Sequence, residues 1–236
     1  MSLRPCQHVQ SSHSMSFKEL TLGHIVNTEQ KYRPRSLDDF VFPNAEVEEI
    51  ALAYGTGKIT RPLILSGPYG TGKSLLAELI PRQIEGFDPQ VNRVRSCDLN
   101  SSKEIYAQLA NSKTFTKLFT INNQRRNYNI IEEVNFEARA KDAFRDVIDQ
   151  YQETDLTIIT TNEVNKIDPA IRSRAQILTV PPCEPLKFLP RAIAIINEEG
   201  YHIAETALLE ALDAAYSVGG DNRQYYKTID ELLRNT

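Results

Sequence analysis

No apolar run in the 236 residues approaches the roughly 20 that a membrane-spanning helix needs, so a helical integral membrane protein is not expected. Met1 to Ser16 is polar, with scattered His and Ser, and holds no apolar h-region of the kind that marks a secretory signal. The segment up to about Asn27 reads as a flexible leader. Cysteines are few and scattered: Cys6, Cys97 and Cys183 are odd in number and far apart. They form no disulfide framework and no metal-ligand spacing, and they suit a reducing compartment. The chain also lacks a basic excess. Its formal charge is −4, so any nucleic-acid contact must come from a local patch or from assembly. Neither an internal repeat nor a low-complexity tract stands out. What remains is 41% hydrophobic and 25% charged, the composition of a soluble globular protein. The length suits one medium α/β domain with a small satellite.

Short apolar runs alternate with helical patterns. The stretch "KYRPRSLDDFVF" reads as extended, because Pro34 keeps the residue before it out of the helical region. Ala45 to Tyr54 reads as a helix, broken by Gly55 and Gly57. "PLILSG", Pro62 to Gly67, is a short buried strand. "KSLLAELI" opens a helix that Pro81 is expected to end or kink. A second strand covers Val91 to Ser96, and Ser101 to Leu109 reads as helix. Asn111 to Asn127 is basic and polar, with little periodicity. "YNII" is the third strand, Phe136 to Tyr151 a helix with Ala140, Phe144, Val147 and Ile148 on one face, "LTIITTN" the fourth strand and "AQILTVPP" the fifth. This alternation predicts an α/β core: a parallel five-stranded sheet between helices, over residues 28–183. After "PPCEP" come three helical patterns and no strand, Leu186 to Glu199, Glu205 to Tyr216 and Asp221 to Arg234. They predict a small all-α lid over 184–236.

"GPYGTGKS", Gly67 to Ser74, fits G-x-x-x-x-G-K-[ST] at every fixed position, between an apolar strand and an apolar-periodic helix. Glycines in such a loop let backbone N–H groups turn inward around phosphates, and the helix N-terminus adds its positive dipole end. Lys73 would reach the β- and γ-phosphates, and the Ser74 hydroxyl would ligate Mg²⁺. The loop is formed by Gly67, Pro68, Tyr69, Gly70, Thr71, Gly72, Lys73 and Ser74, with Leu75 behind it.

Such a loop needs a carboxylate at the end of another strand and a group that orients the attacking water. "NIIEE" supplies Glu132 and Glu133 at a strand tip: Glu132 for the metal, Glu133 for the water. Asn162 ends the next apolar strand, where an amide suits either the lytic water or a turn cap.

Together these motifs resemble the AAA+ ATPases, and within them the P-loop subunits of clamp loaders, replication factor C small subunits and their T4-type phage counterparts. "KYRP" with "SLDDFV" is similar to the family's leading segment, which implies that Tyr32, Arg33 and Pro34 line an adenine pocket. "GPYGTGKS" stands at Walker A, "NIIEE" at Walker B, and "ITTN", ending in Asn162, at sensor 1. "IDPAIRSRA" resembles the segment that ends in a Ser-Arg-Cys motif, which implies Arg174 as a finger reaching into the neighbouring subunit. Arg172 competes for that role. "GGDNRQ" resembles sensor 2 and implies Arg223 there. Three departures stand out: Glu132 replaces the usual Asp, Ala175 replaces the usual Cys, and the chain ends at Thr236, where clamp-loader subunits carry an all-α collar. Ring formation is therefore expected to depend on ATP, DNA or another chain.

The resemblance implies a Mg²⁺-dependent ATPase with ATP held between AAA+ subunits of a homo- or hetero-oligomer. It implies primer–template DNA and a sliding clamp as partners, no membrane, and a cytoplasmic or replication-site location, nuclear in a eukaryote. Ser101, Ser102 and Lys103 suit either a DNA phosphate or an ordinary helix cap with a capping-box acid. The cations Lys113, Lys117, Arg125 and Arg126 read as a solvated loop more readily than as a DNA face. A rival reading is a nucleotide-switched assembly or recruitment module of the transposition or phage-defence type, which the ending at Thr236 favours and "KYRP" and the Ser-Arg segment oppose. An ATPase-dead structural subunit is opposed by Lys73 and Glu133.

Overall fold

Five short runs pair into one sheet: β1 (Leu63–Ser66), β2 (Val91–Arg95), β3 (Asn127–Glu132), β4 (Asp155–Thr161) and β5 (Gln176–Thr179). The computed structural model describes residues 27–111, 126–132 and 138–235. Strand order is β2-β3-β4-β1-β5, and every pairing is parallel. All of β1 and β4 is buried, as expected of central strands covered on both faces, while the edge strands β2 and β5 are partly exposed.

Alternating side chains feed two cores. On one face Leu63, Leu65, Ile130 and Ile158 pack with Val47 and Ala51 of α2 (Ala45–Gly55) and with Leu76 and Ile80 of α3 (Lys73–Glu85). On the other, Ile64, Ile131 and Ile159 pack with Ile105 of the short α4 (Ser102–Ile105) and with Phe144 and Ile148 of α5 (Ala138–Tyr151). A polar cross-link joins three strands at their N-terminal ends. Asp155 accepts from Asn127 Nδ2 (3.0 Å), Asn129 Nδ2 (3.2 Å) and Thr154 Oγ1 (2.8 Å), and Asn129 Oδ1 accepts from Asn92 Nδ2 (3.0 Å).

Pro81, expected to end or kink α3, does not end it. The helix continues to Glu85 and closes on Gly86, whose N–H donates to the Arg82 carbonyl. A proline inside a helix costs about 3 kcal/mol. Here Leu79, Ile80, Pro81 and Ile84 are all buried against the sheet. Each large apolar side chain so buried contributes about 1.5–3 kcal/mol, which offsets the proline. The expected helix from Ser101 to Leu109 is instead α4 followed by a π turn over Tyr106–Asn111. Ile105 and Leu109 anchor it at both ends to the cluster around Phe144.

After the four-residue α6 (Pro169–Arg172) and β5 come α7 (Pro185–Glu198), α8 (Glu205–Ser217) and α9 (Asn222–Asn235), packed around Phe188, Ile196, Leu212, Tyr225 and Ile229. The N-terminal α1 (Thr28–Lys31) joins this group rather than the sheet: Thr28 N donates to Asp230 Oδ1 (3.0 Å), and Thr28 Oγ1 to the Tyr226 carbonyl (3.2 Å). Among the described residues no helix is long and apolar enough to cross a membrane.

Candidate nucleotide-binding site

Parallel strands point their C-terminal ends the same way, and the loop between β1 and α3 sits at that edge. Gly67 N donates to the Thr161 carbonyl of β4, and a Cβ on Gly67 would lie 2.2 Å from the Val180 carbonyl oxygen. Only glycine fits that approach. Gly70 has φ +72°, and its carbonyl accepts from Asn222 N at 3.2 Å, so the loop is bonded directly to the start of α9.

Lys73 is the first residue of α3 and is buried. Its ammonium donates to the carbonyls of Gly67 (2.9 Å) and Pro68. Burial first, and then the nearby Arg223 guanidinium, push its pKa down to about 8, partly opposed by the Asp221 carboxylate. An ammonium held by two carbonyls beside another cation is a ready partner for an anion.

These groups open onto a cavity of about 490 Å³. Lys73, Ser74, Glu132 and Asn162 lie at its polar end, together with Thr160 and Thr161 of β4. Pro34, Phe40, Val41, Leu75, Phe188 and Tyr226 supply its apolar lining. Glu29 and Arg223 also line it and form a loose pair, Nε to Oε1 3.9 Å.

The structure thus brings Arg33, Pro34, Tyr69, Gly70, Thr71, Gly72, Lys73, Ser74, Leu75, Glu132, Asn162 and Arg223 to one cavity. Gly67 and Pro68 contribute through the carbonyls that hold Lys73. Tyr32 does not line the cavity. It is buried among α7, α8 and α9, its hydroxyl donating to Glu199 Oε1 (2.7 Å), and its backbone carbonyl accepts from Arg191. Glu133 lies outside the described residues, as do Lys113, Lys117 and Arg125. Arg126 donates to the Ile59 carbonyl. Ser101 and Glu104 form a complete capping box.

Arg174 also lies away from the cavity. Its Nε donates to both carboxylate oxygens of Asp149 on α5 (2.8 and 3.0 Å), and its Nη1 to the Ala170 carbonyl (2.8 Å). Arg172 is half-buried on α6. Phe40 and Val41 belong to the "SLDDFV" segment, whereas sequence reasoning missed Phe188 and Tyr226 as lining residues. On α9 Tyr225 is buried in the helix cluster, and Tyr226, one position on, packs against that cluster edge-to-face with Phe188 and lines the cavity.

With that geometry in place, likeness to known proteins becomes informative. Residues 63–182 match the "ATPase family associated with various cellular activities (AAA)". The chain belongs to the AAA family. This AAA chain is similar to the replication factor C small subunit of Archaeoglobus fulgidus, 29% identical over 198 residues, which is 83% of this chain and 60% of the relative. Replication factor C subunit 5 of Arabidopsis thaliana is 27% identical over 186 residues, 76% of this chain and 49% of the relative. The AAA chain therefore spans 60% or less of the length of these two relatives. A solved structure of a Thermotoga maritima RuvB mutant superimposes with a TM-score of 0.69 at 17% identity, over 87% of this chain and 66% of that one. At that identity the likeness is one of fold.

Proposed function

We propose that this AAA protein binds and hydrolyses ATP with Mg²⁺, as one subunit of a ring or spiral on DNA, most closely in the manner of a clamp-loader ATPase. The observation that carries the reading is the buried Lys73 at the head of α3, facing the same cavity as Glu132 of β3 and Arg223 of α9. Likeness to replication factor C small subunits supports the clamp-loader part. In this reading residues 28–183 are the ATPase core and 184–236 the lid.

The residues fit the ligands. Gly67 tolerates no Cβ beside the Val180 carbonyl, which seats the start of the loop on the sheet edge, and Gly70 and Gly72, both at positive φ, turn the loop at the cavity they line. Lys73 exchanges the two carbonyls for the β- and γ-phosphates. The apolar lining of Pro34, Phe40, Val41, Phe188 and Tyr226 suits a base, and Arg223 meets the phosphates from α9. Ser74 and Glu132 offer a hydroxyl and a carboxylate, the hard oxygen donors that Mg²⁺ prefers. Bound there, Mg²⁺ neutralises charge that develops on the phosphoryl oxygens. Glu133 takes the proton of the attacking water, and Asn162 orients that water. Arg174 acts in the neighbouring subunit's site, where a guanidinium matches the charge of the transferring phosphoryl group.

Lys73→Ala tests the reading. ATP affinity should be lost, because the only buried cation of the loop goes with it. Unchanged affinity would mean that the loop is not a phosphate site. Turnover stimulated by primer–template DNA and by a sliding clamp would support the clamp-loader assignment, and indifference to both would remove it.

A further inference from the structure

Glu78 lies on α3, outside the cavity, yet its carboxylate is shared by two arginines. Oε2 accepts from Arg33 Nη2 at 2.7 Å, and Oε1 accepts from Arg93 Nη2. Arg93 comes from β2, and its other terminal nitrogen faces Glu132, Nη1 to Oε1 3.7 Å. One guanidinium thus stands between two carboxylates, and Glu78 has the closer grip. Glu132 and Arg33 line the cavity, whereas Glu78 and Arg93 stand behind it.

We propose that Glu78 is a positioning residue for Mg²⁺ handling: it holds the Arg93 guanidinium off Glu132 and leaves that carboxylate available to the metal. The proposal rests on the reading of Glu132 as the metal-side acid. A guanidinium at hydrogen-bond distance would compete with the divalent cation for the same oxygens. At 3.7 Å, Arg93 stops short of a hydrogen bond to Glu132, and the pair with Glu78 is what restrains it. Neutralising Glu78 releases Arg93 to close that gap. The side chains of Glu78 and Glu132 are only 24% and 22% exposed, so these charges are partly shielded from solvent. Exchange of one such contact for another is worth a few-fold in affinity rather than orders of magnitude.

The test is a Mg²⁺ titration of the full chain's affinity for a fluorescent, non-hydrolysable ATP analogue, with thermal unfolding as a check of folding. Absence of analogue binding would sink the ATP reading itself, and binding that does not depend on Mg²⁺ would sink the reading of Glu132 as the metal-side acid. Given that dependence, Glu78→Gln should raise the half-saturating Mg²⁺ roughly two- to fivefold. Arg93→Gln should lower it below the wild-type value, and the double variant should follow Arg93→Gln. A purely structural role for Glu78 would instead weaken the analogue at every Mg²⁺ concentration and persist in the double variant. No shift in Glu78→Gln, or a shift undiminished when Arg93 is also removed, overturns the proposal. Should Glu78→Gln fail to fold, Arg93→Gln alone decides: a higher Mg²⁺ requirement in that variant refutes it.

Discussion

Lys73 combines two demands that pull against each other. Its burial disfavours the charged form, and its task requires that form. With the pKa lowered from 10.5 to about 8, the ammonium begins to lose its proton only slightly above neutrality. ATP affinity should therefore fall as pH rises through about 8, and titration calorimetry from about pH 7 to about pH 9 reads this directly. In Lys73→Met the residual affinity should be flat over that range. Stability without nucleotide has the opposite trend. Between about 8 and 10.5 the unfolded chain holds this proton more tightly than the folded one, so this residue's contribution rises with pH across that window. The two acids of "NIIEE" are also separable. Glu133→Gln should keep ATP and Mg²⁺ binding and lose about 10²–10⁴ in turnover, as general-base removal does. Glu132→Gln should first raise the Mg²⁺ requirement, because a neutral amide is a poorer partner for a hard cation. Mg²⁺ titrations of turnover for both variants check this. Exchanged phenotypes would show that the two roles are reversed.

At the scale of elements, the buried polar cross-link governs how strands meet. Asp155 is 4% exposed and satisfies three donors from β3 and the turn before β4. A slip of one residue would place these groups on opposite faces, so the network penalises the wrong register. Asp155→Ala strands the Asn127 and Asn129 amides, while the exposed Thr154 hydroxyl keeps the Tyr151 carbonyl, and should cost about 2–4 kcal/mol, read as a lower urea midpoint at an unchanged slope. Elements of this kind were legible in the sequence when their pattern was local. The runs "LILS" and "LTIITT" could only be buried strands beside helices, and the glycine loop announced its own place between β1 and α3. Pro81 misled because its cost is local while the burial of Ile80 and Ile84 that offsets it comes from the sheet. Part of the cavity's apolar lining was hidden for a related reason. Phe188 and Tyr226 sit in segments far apart in sequence, and only the packing of α7 and α9 brings them together.

On the scale of the whole molecule, Arg174 is the residue whose proposed partner lies beyond this chain. Asp149 and the Ala170 carbonyl fix its guanidinium at the surface, 38% exposed, away from its own cavity. Arg174→Ala should leave ATP binding largely intact and cut hydrolysis, by a factor of about 10³–10⁵ if it acts as a finger. Doped into wild-type protein, the variant should depress activity out of proportion to its fraction. A strictly proportional loss would place the residue in its own subunit's chemistry or outside the reaction. Strand order has a consequence for how the chain is born. Among the described residues β1, which carries the phosphate loop, pairs only with Ile158–Thr161 and Gln176–Thr179. A ribosome makes the loop early, but both flanks of β1 stay bare until those later stretches have emerged from the exit tunnel. While the stretch from α3 to β4 is being made, then, the nascent chain holds a complete phosphate loop on an unpaired apolar strand, and ATP cannot help it fold until Ile158–Thr161 and Gln176–Thr179 have followed.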